Sequence, residues 1–136
     1  MKIKSVLLLA GLGMMGNALA DAPRNPISVH VLNTQTGKPS SGVKVDLEQQ
    51  QSGKWVTLAS KTTDSDGRIG AFYPQGKNFT AGQYRVTFHT GEFFQQQHQS
   101  TFFPDVPVNF QVTNTQEHYH IPLLLSQYGF STYRGS

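Results

Sequence analysis

Three imidazoles, one guanidinium and the last four residues of the chain are the groups whose types and spacing can do chemistry. His118 and His120 stand two apart in "HYHIPLLLS", His30 lies in "ISVHVLN", Arg68 follows "TDSDG", and the chain ends Tyr133-Arg134-Gly135-Ser136. Imidazole titrates near neutral pH, so a histidine can take a proton from water and return one to a leaving group. A guanidinium offers a planar fork of donors to carbonyl or carboxylate oxygens. His118-x-His120 together with His30 also has the strand spacing of a three-imidazole zinc site with an open position. Ligating imidazoles usually need orienting carboxylates, however, and only Glu117 is close in sequence, so the preferred reading uses no metal and no cofactor. Ser126, Ser131 and Ser136 lack a Gly-x-Ser-x-Gly elbow and the chain has no cysteine, so a serine-hydrolase triad or a thiol nucleophile has no support. Each residue also has an ordinary fate. Surface strands tolerate histidine, an arginine after a turn is commonly solvated or paired to an aspartate, and a chain end usually frays.

Period-two alternation identifies the elements that must position these groups. Ile27, Val29 and Val31 share one face, which puts His30 on the other. Tyr119, Ile121, Leu123 and Leu125 likewise leave His118 and His120 off the core, with Pro122 predicting a bulge or an edge in that strand. Val43, Val45 and Leu47 precede a Gln-Ser-Gly-Lys turn and "WVTLASKTT", which read as a hairpin. Asp64 to Gly67 supply side-chain caps and a positive-φ position for a tight turn ahead of a strand over Ile69 to Tyr73. A calcium loop would want more oxygen ligands at longer spacing. "GQYRVTFHT", "VNFQV" and "YGFSTY" add further strands, and "GEFFQQQHQ" at 91 to 99 is the one short helix. About eight strands with turn signals between them and little helix predict an antiparallel β-sandwich.

Composition narrows the class further. Residues 1–20 have Lys2 and Lys4, an apolar stretch too short to span a bilayer, and Ala18-Leu19-Ala20 as a cleavage signal, so they are expected to be a signal peptide and the product an exported protein of the bacterial periplasm. Residues 21–136 then form one domain, in which 9 basic residues face 8 acidic ones once the two leader lysines are set aside. That balance offers no concentrated basic face for nucleic acid or a membrane surface. Without disulfides, a hydrophobic core or an oligomer must hold the domain together.

"ISVHVLNTQTGKPSSGVKVDL", "TDSDGRI", "GQYRVTFHTGEFF", "FFPDVPVNFQV" and "HYHIPLLLSQYGFSTYRGS" together resemble the transthyretin-like proteins that act as 5-hydroxyisourate hydrolases. The resemblance covers nearly all of residues 21–136, and the terminal Tyr-Arg-Gly-Ser is its most specific mark. It implies a two-sheet, eight-stranded antiparallel sandwich of transthyretin type with one short helix, assembled as a homotetramer around a central channel. It also implies hydrolysis of the cyclic amide 5-hydroxyisourate in urate degradation. By the same resemblance His30, Arg68, His120 and Ser136 are catalytic, His30, Arg68 and Tyr133 bind substrate, and His118 falls outside the pattern. The alternative is a carrier holding a small ligand in the same channel.

Overall fold

The computed structural model describes residues 24–136, and the leader with its cleavage point lies outside them. The chain runs through β1 (Ile27–Asn33), β2 (Lys38–Pro39), β3 (Lys44–Gln51), β4 (Lys54–Thr62), β5 (Arg68–Ile69) and β6 (Gly82–Phe88). It continues through α1 (Thr90–Gln96), β7 (Val106–Val112), β8 (Tyr119–Ser126) and β9 (Gly129–Thr132). One sheet has the order β2-β1-β8-β9, with β5 added on β1, and the other has the order β4-β3-β6-β7. Their inner faces make the core. Ile27, Val29, Val31, Leu123 and Leu125 meet Val45, Leu47, Tyr84, Val86 and Phe88, all at most 1% exposed. At roughly 1.5–3 kcal/mol per fully buried large apolar side chain, this alternation decides which face each strand turns inward. Among the described residues no helix is long and apolar enough to cross a membrane.

The two-sheet sandwich and its helix agree with the sequence, and the details differ in four places, the last of them at Pro122. Among the described residues nine strands form, of which β2 and β5 are only two residues long. β1 pairs with β8 in parallel, so the sheet carrying the histidines is mixed. The strand expected over Ile69 to Tyr73 pairs only at Arg68–Ile69. Beyond it Phe72 and Tyr73 leave the ladder and enter the core, held by Phe72 N–H on the Ile27 carbonyl and by the Asn25 side chain on both backbone groups of Tyr73.

Pro122 sits neither at an edge nor in a bulge. β8 lies between β1 and β9, and its register with β1 runs unbroken from Tyr119 to Leu125. On the other side the β8–β9 ladder stops at Leu123↔Thr132 and resumes in the same register at the isolated pair His120↔Gly135. Pro122, which has no N–H to donate, stands in that gap, so an interior strand tolerates it. The tail is thus the continuation of β9, running on past the proline to dock beside His120.

Candidate active site

Three devices, one local and two set by strand pairing, assemble the site on the outer face of the first sheet. The first is the turn before β5. Asp64 Oδ1 accepts the backbone N–H of Asp66 at 2.8 Å and of Arg68 at 3.0 Å, and Gly67 N–H returns to the Asp64 carbonyl at 2.9 Å. Gly67 has φ 73°, and a Cβ there would lie 2.5 Å from the Val31 carbonyl oxygen, so only glycine lets the turn lie this close to β1. Val31 N–H bonds the Gly67 carbonyl at 2.8 Å, which puts Arg68 directly opposite His30 in the β1–β5 pair. Among the described residues Arg68 forms no ion pair, and the nearby Asp64 uses its Oδ1 to accept two backbone N–H groups of the turn.

The second device is the parallel β1–β8 register, which pairs Ser28 with His120 and His30 with Pro122. It brings the His30 and His120 rings into a stacked arrangement with centroids 6.5 Å apart and an interplanar angle of 28°. His118 stacks on the other side of His120, with centroids 6.4 Å apart.

The third device is the tail. Gly135 N–H bonds the His120 carbonyl at 2.9 Å. A Cβ at Gly135 would fall 2.5 Å from His120 Cδ2 and 2.9 Å from Pro122 Cγ, so the backbone rests directly on the imidazole. Arg134 clamps the approach. Its guanidinium bonds Glu117 at 3.0 Å and the His118 carbonyl at 3.3 Å, and it lies 4.5 Å over the Tyr119 ring. Tyr133 is 58% exposed and, with Thr132 and Arg134, lines a cleft of about 250 Å³ reaching His120. Ser136 follows Gly135 at the exposed end.

Electrostatics keep both central imidazoles neutral. Burial first, and then the Arg68 charge, lower the His30 pKa against the pull of the Asp66 backbone and of the Asp64 and Asp66 carboxylates. Burial lowers that of His120 as well, followed by Arg68, His118, His30 and Arg24, all of which act in the same direction. Near pH 7 the two rings are therefore proton acceptors beside a fixed cation.

The structure gathers His30, Arg68 and His120 into one cluster and brings the tail to its edge. Sequence reasoning passed over Ser28 and left His118 outside. Ser28 Oγ lies 2.8 Å from His118 Nε2 and 2.6 Å from His120 Nδ1. The available signal was alternation itself: Ser28 shares a face with His30, and His118 shares one with His120. Among the described residues no three histidine, cysteine or carboxylate side chains are grouped to hold a metal ion.

The fold and this cluster define a class: a two-sheet β-sandwich with paired imidazoles and an arginine on the open face of one sheet. The family model described as HIUase/Transthyretin matches residues 27–135, and the chain belongs to that family. The 5-hydroxyisourate hydrolase of Salmonella dublin is 54% identical over 115 residues, spanning 85% of this chain and 84% of that protein. The structure of Klebsiella pneumoniae 5-hydroxyisourate hydrolase matches with a TM-score of 0.72 at 35% identity, covering 82% of this chain and 99% of that one. Transthyretin from Sparus aurata matches with a TM-score of 0.77 at 30% identity, over 82% and 97% of the two chains.

Proposed function

We propose that this protein is a hydrolase that opens the six-membered ring of 5-hydroxyisourate in urate degradation. The observation that carries the reading is the stacked, neutral His30–His120 pair with Arg68 beside it, in a chain 54% identical to a hydrolase of that substrate. A carrier of an apolar ligand has no use for two desolvated imidazoles and an arginine without an ion-pair partner among the described residues.

The reaction needs an activated water, a stabilised oxyanion and a fixed planar substrate. One imidazole takes a proton from water as its oxygen bonds to the amide carbon. The negative charge that develops on the carbonyl oxygen falls within reach of the Arg68 fork, whose planar donors suit a polar, planar substrate. The carbon–nitrogen bond then breaks, and the departing nitrogen receives a proton from an imidazole, leaving a ureido group and a carboxylic acid that releases the remaining water proton to solvent as it becomes a carboxylate. General acid–base assistance of this kind contributes about 10²–10⁴-fold. Tyr133 and Ser136 close the site on the tail side, and neither step calls on a metal.

The working unit in this reading is a homotetramer in which outer faces of the histidine-bearing sheet meet around a channel. The open face of that sheet supports it, as do Phe102, Tyr128 and Tyr133, which are 72%, 66% and 58% exposed beside β8 and β9. Light scattering on the purified protein measures the assembly. The leader directs export to the periplasm; the N-terminal sequence of the secreted protein, expected to start at Asp21, checks this. The function itself is tested by generating 5-hydroxyisourate in situ from urate and urate oxidase and following its ultraviolet absorbance. The folded protein should accelerate the decay well above the spontaneous rate, and an unchanged rate would reject the hydrolase reading.

A further inference from the structure

Ser28 is 6% exposed and lies on the outer face of β1, opposite His120 in the parallel ladder. It is the middle of a chain of hydrogen bonds whose direction is set at one end. His118 Nδ1 lies 2.7 Å from the Asn25 carbonyl oxygen. A carbonyl has no proton to give, so Nδ1–H of His118 donates. In the neutral ring this leaves His118 Nε2 as an acceptor, 2.8 Å from Ser28 Oγ. Serine has one hydroxyl proton, and it goes there. Across the 2.6 Å contact with His120 Nδ1, Ser28 Oγ can then only accept, so His120 carries its proton on Nδ1. The Nε2 lone pair of His120 is left free, and it has no hydrogen-bond partner among the described residues. The tail backbone at Gly135 rests against Cδ2, the carbon bonded to that nitrogen.

We propose that Ser28 and His118 are positioning residues that hold His120 in its Nδ1–H tautomer, so that His120 Nε2, and not His30, takes the proton from the attacking water. The relay depends on His118 staying neutral. A protonated His118 would donate from Nε2 to Ser28, the hydroxyl proton would swing to His120 Nδ1, and Nε2 would become the protonated nitrogen. Burial, and then the Arg24 charge, lower the His118 pKa against the Asn25 carbonyl. The charged or titratable groups that act on His120 are Arg68, His118, His30 and Arg24, and each opposes its protonation, while Arg134 and Tyr133 line the same cleft and Arg134 is paired with Glu117. A tautomer held by an uncharged partner is a less common device than a carboxylate behind a histidine.

The kinetic part of this inference rests on the hydrolase reading, and the spectroscopic part does not. In the full-length protein labelled with ¹⁵N-histidine, long-range proton–nitrogen NMR reports which ring nitrogen of His120 is protonated. The expected result is a protonated Nδ1 and a lone-pair Nε2 in the wild type, and a mixture of tautomers in Ser28→Ala and in His118→Phe. Both variants should lose about 10- to 100-fold in kcat, the range typical when an orienting partner is removed, with KM within about threefold. Ser28→Thr, which keeps the hydroxyl, should restore both readouts, and circular dichroism checks that each variant is folded. A wild-type His120 protonated on Nε2, or a folded Ser28→Ala with unchanged tautomer and kcat, overturns the proposal. A wild-type protein that is inactive on 5-hydroxyisourate but shows the expected tautomer would overturn the function while leaving the relay standing.

Discussion

Gly135→Ala tests whether the tail works on the imidazole or merely ends there. The added methyl would lie 2.5 Å from His120 Cδ2 and 2.9 Å from Pro122 Cγ, against an ordinary carbon–carbon contact of about 3.5–4.0 Å. Pro122 is buried in an interior strand and His120 is held by Ser28, so neither can retreat, and the tail must lift by about 1 Å. That displacement breaks the 2.9 Å bond from Gly135 N–H to the His120 carbonyl. A hydrogen bond of this kind contributes about 0.5–1.5 kcal/mol, and the exposed tail buries little else, so global stability should fall by no more than that. Activity should respond far more, because a misplacement of about 1 Å at a reacting group can cost roughly 10²-fold. Steady-state absorbance assays of 5-hydroxyisourate decay give kcat and KM, thermal unfolding gives the stability change, and amide exchange at Gly135 reports whether the tail has undocked. A variant whose tail is undocked by exchange and whose kcat/KM equals the wild type would refute the reasoning.

Four further outcomes follow from the same geometry. Deleting Tyr133 to Ser136 should leave a folded sandwich by circular dichroism and abolish hydrolysis, since the deletion removes the extension of β9 and its contacts with Glu117, His118, Tyr119 and His120 but no strand of either sheet. His30→Ala should lower kcat by about 10²-fold or more, and in the wild type the acid limb of the kcat/KM profile should lie below the ordinary histidine range near 6.5, because burial and Arg68 lower the pKa of both central imidazoles. Arg68→Lys keeps the charge but loses the planar fork, so it should raise KM or lower kcat about 10-fold while leaving that acid limb nearly in place. His89 provides an independent check on the opposite sheet: burial alone would lower its pKa, but Asp46 at 2.8 Å and Asp105 at 3.0 Å raise it overall. A raised folded-state pKa stabilises the protein below the unfolded-state value near 6.5, and that contribution is lost as pH rises through the folded value, so His89→Gln should lower the melting temperature more at about pH 5 than at about pH 9.

Much of the scaffold was legible from alternation because burial acts residue by residue. Ile27, Val29 and Val31 turn inward for the reason their sequence pattern gives, and His30 is placed outward by the same period. The Ser52-Gly53 hairpin turn, with φ of 51° and 79°, follows from local turn chemistry, as does the Asp64 cap that presents Arg68. Pro122 was misread because a proline's cost depends on which neighbour its missing N–H would have faced. That neighbour is the interrupted ladder toward Tyr133, set by pairing across the sheet. His118 was left out of the site because its role is carried by Ser28, a residue 90 positions away in the chain.

By itself, then, the sequence determined the two-sheet class, the strand faces, the turn that carries Arg68 and the residue types able to move a proton. These depend on period, turn propensity and side-chain chemistry, all of which are local. Only the tertiary structure decided that β1 and β8 run parallel, which sets Ser28 against His120, and that β9 continues past Pro122 to lay Gly135 on the imidazole. Those are long-range registers, fixed when two sheet faces close on a common core, and they turn separate histidines into a site with a direction for the proton.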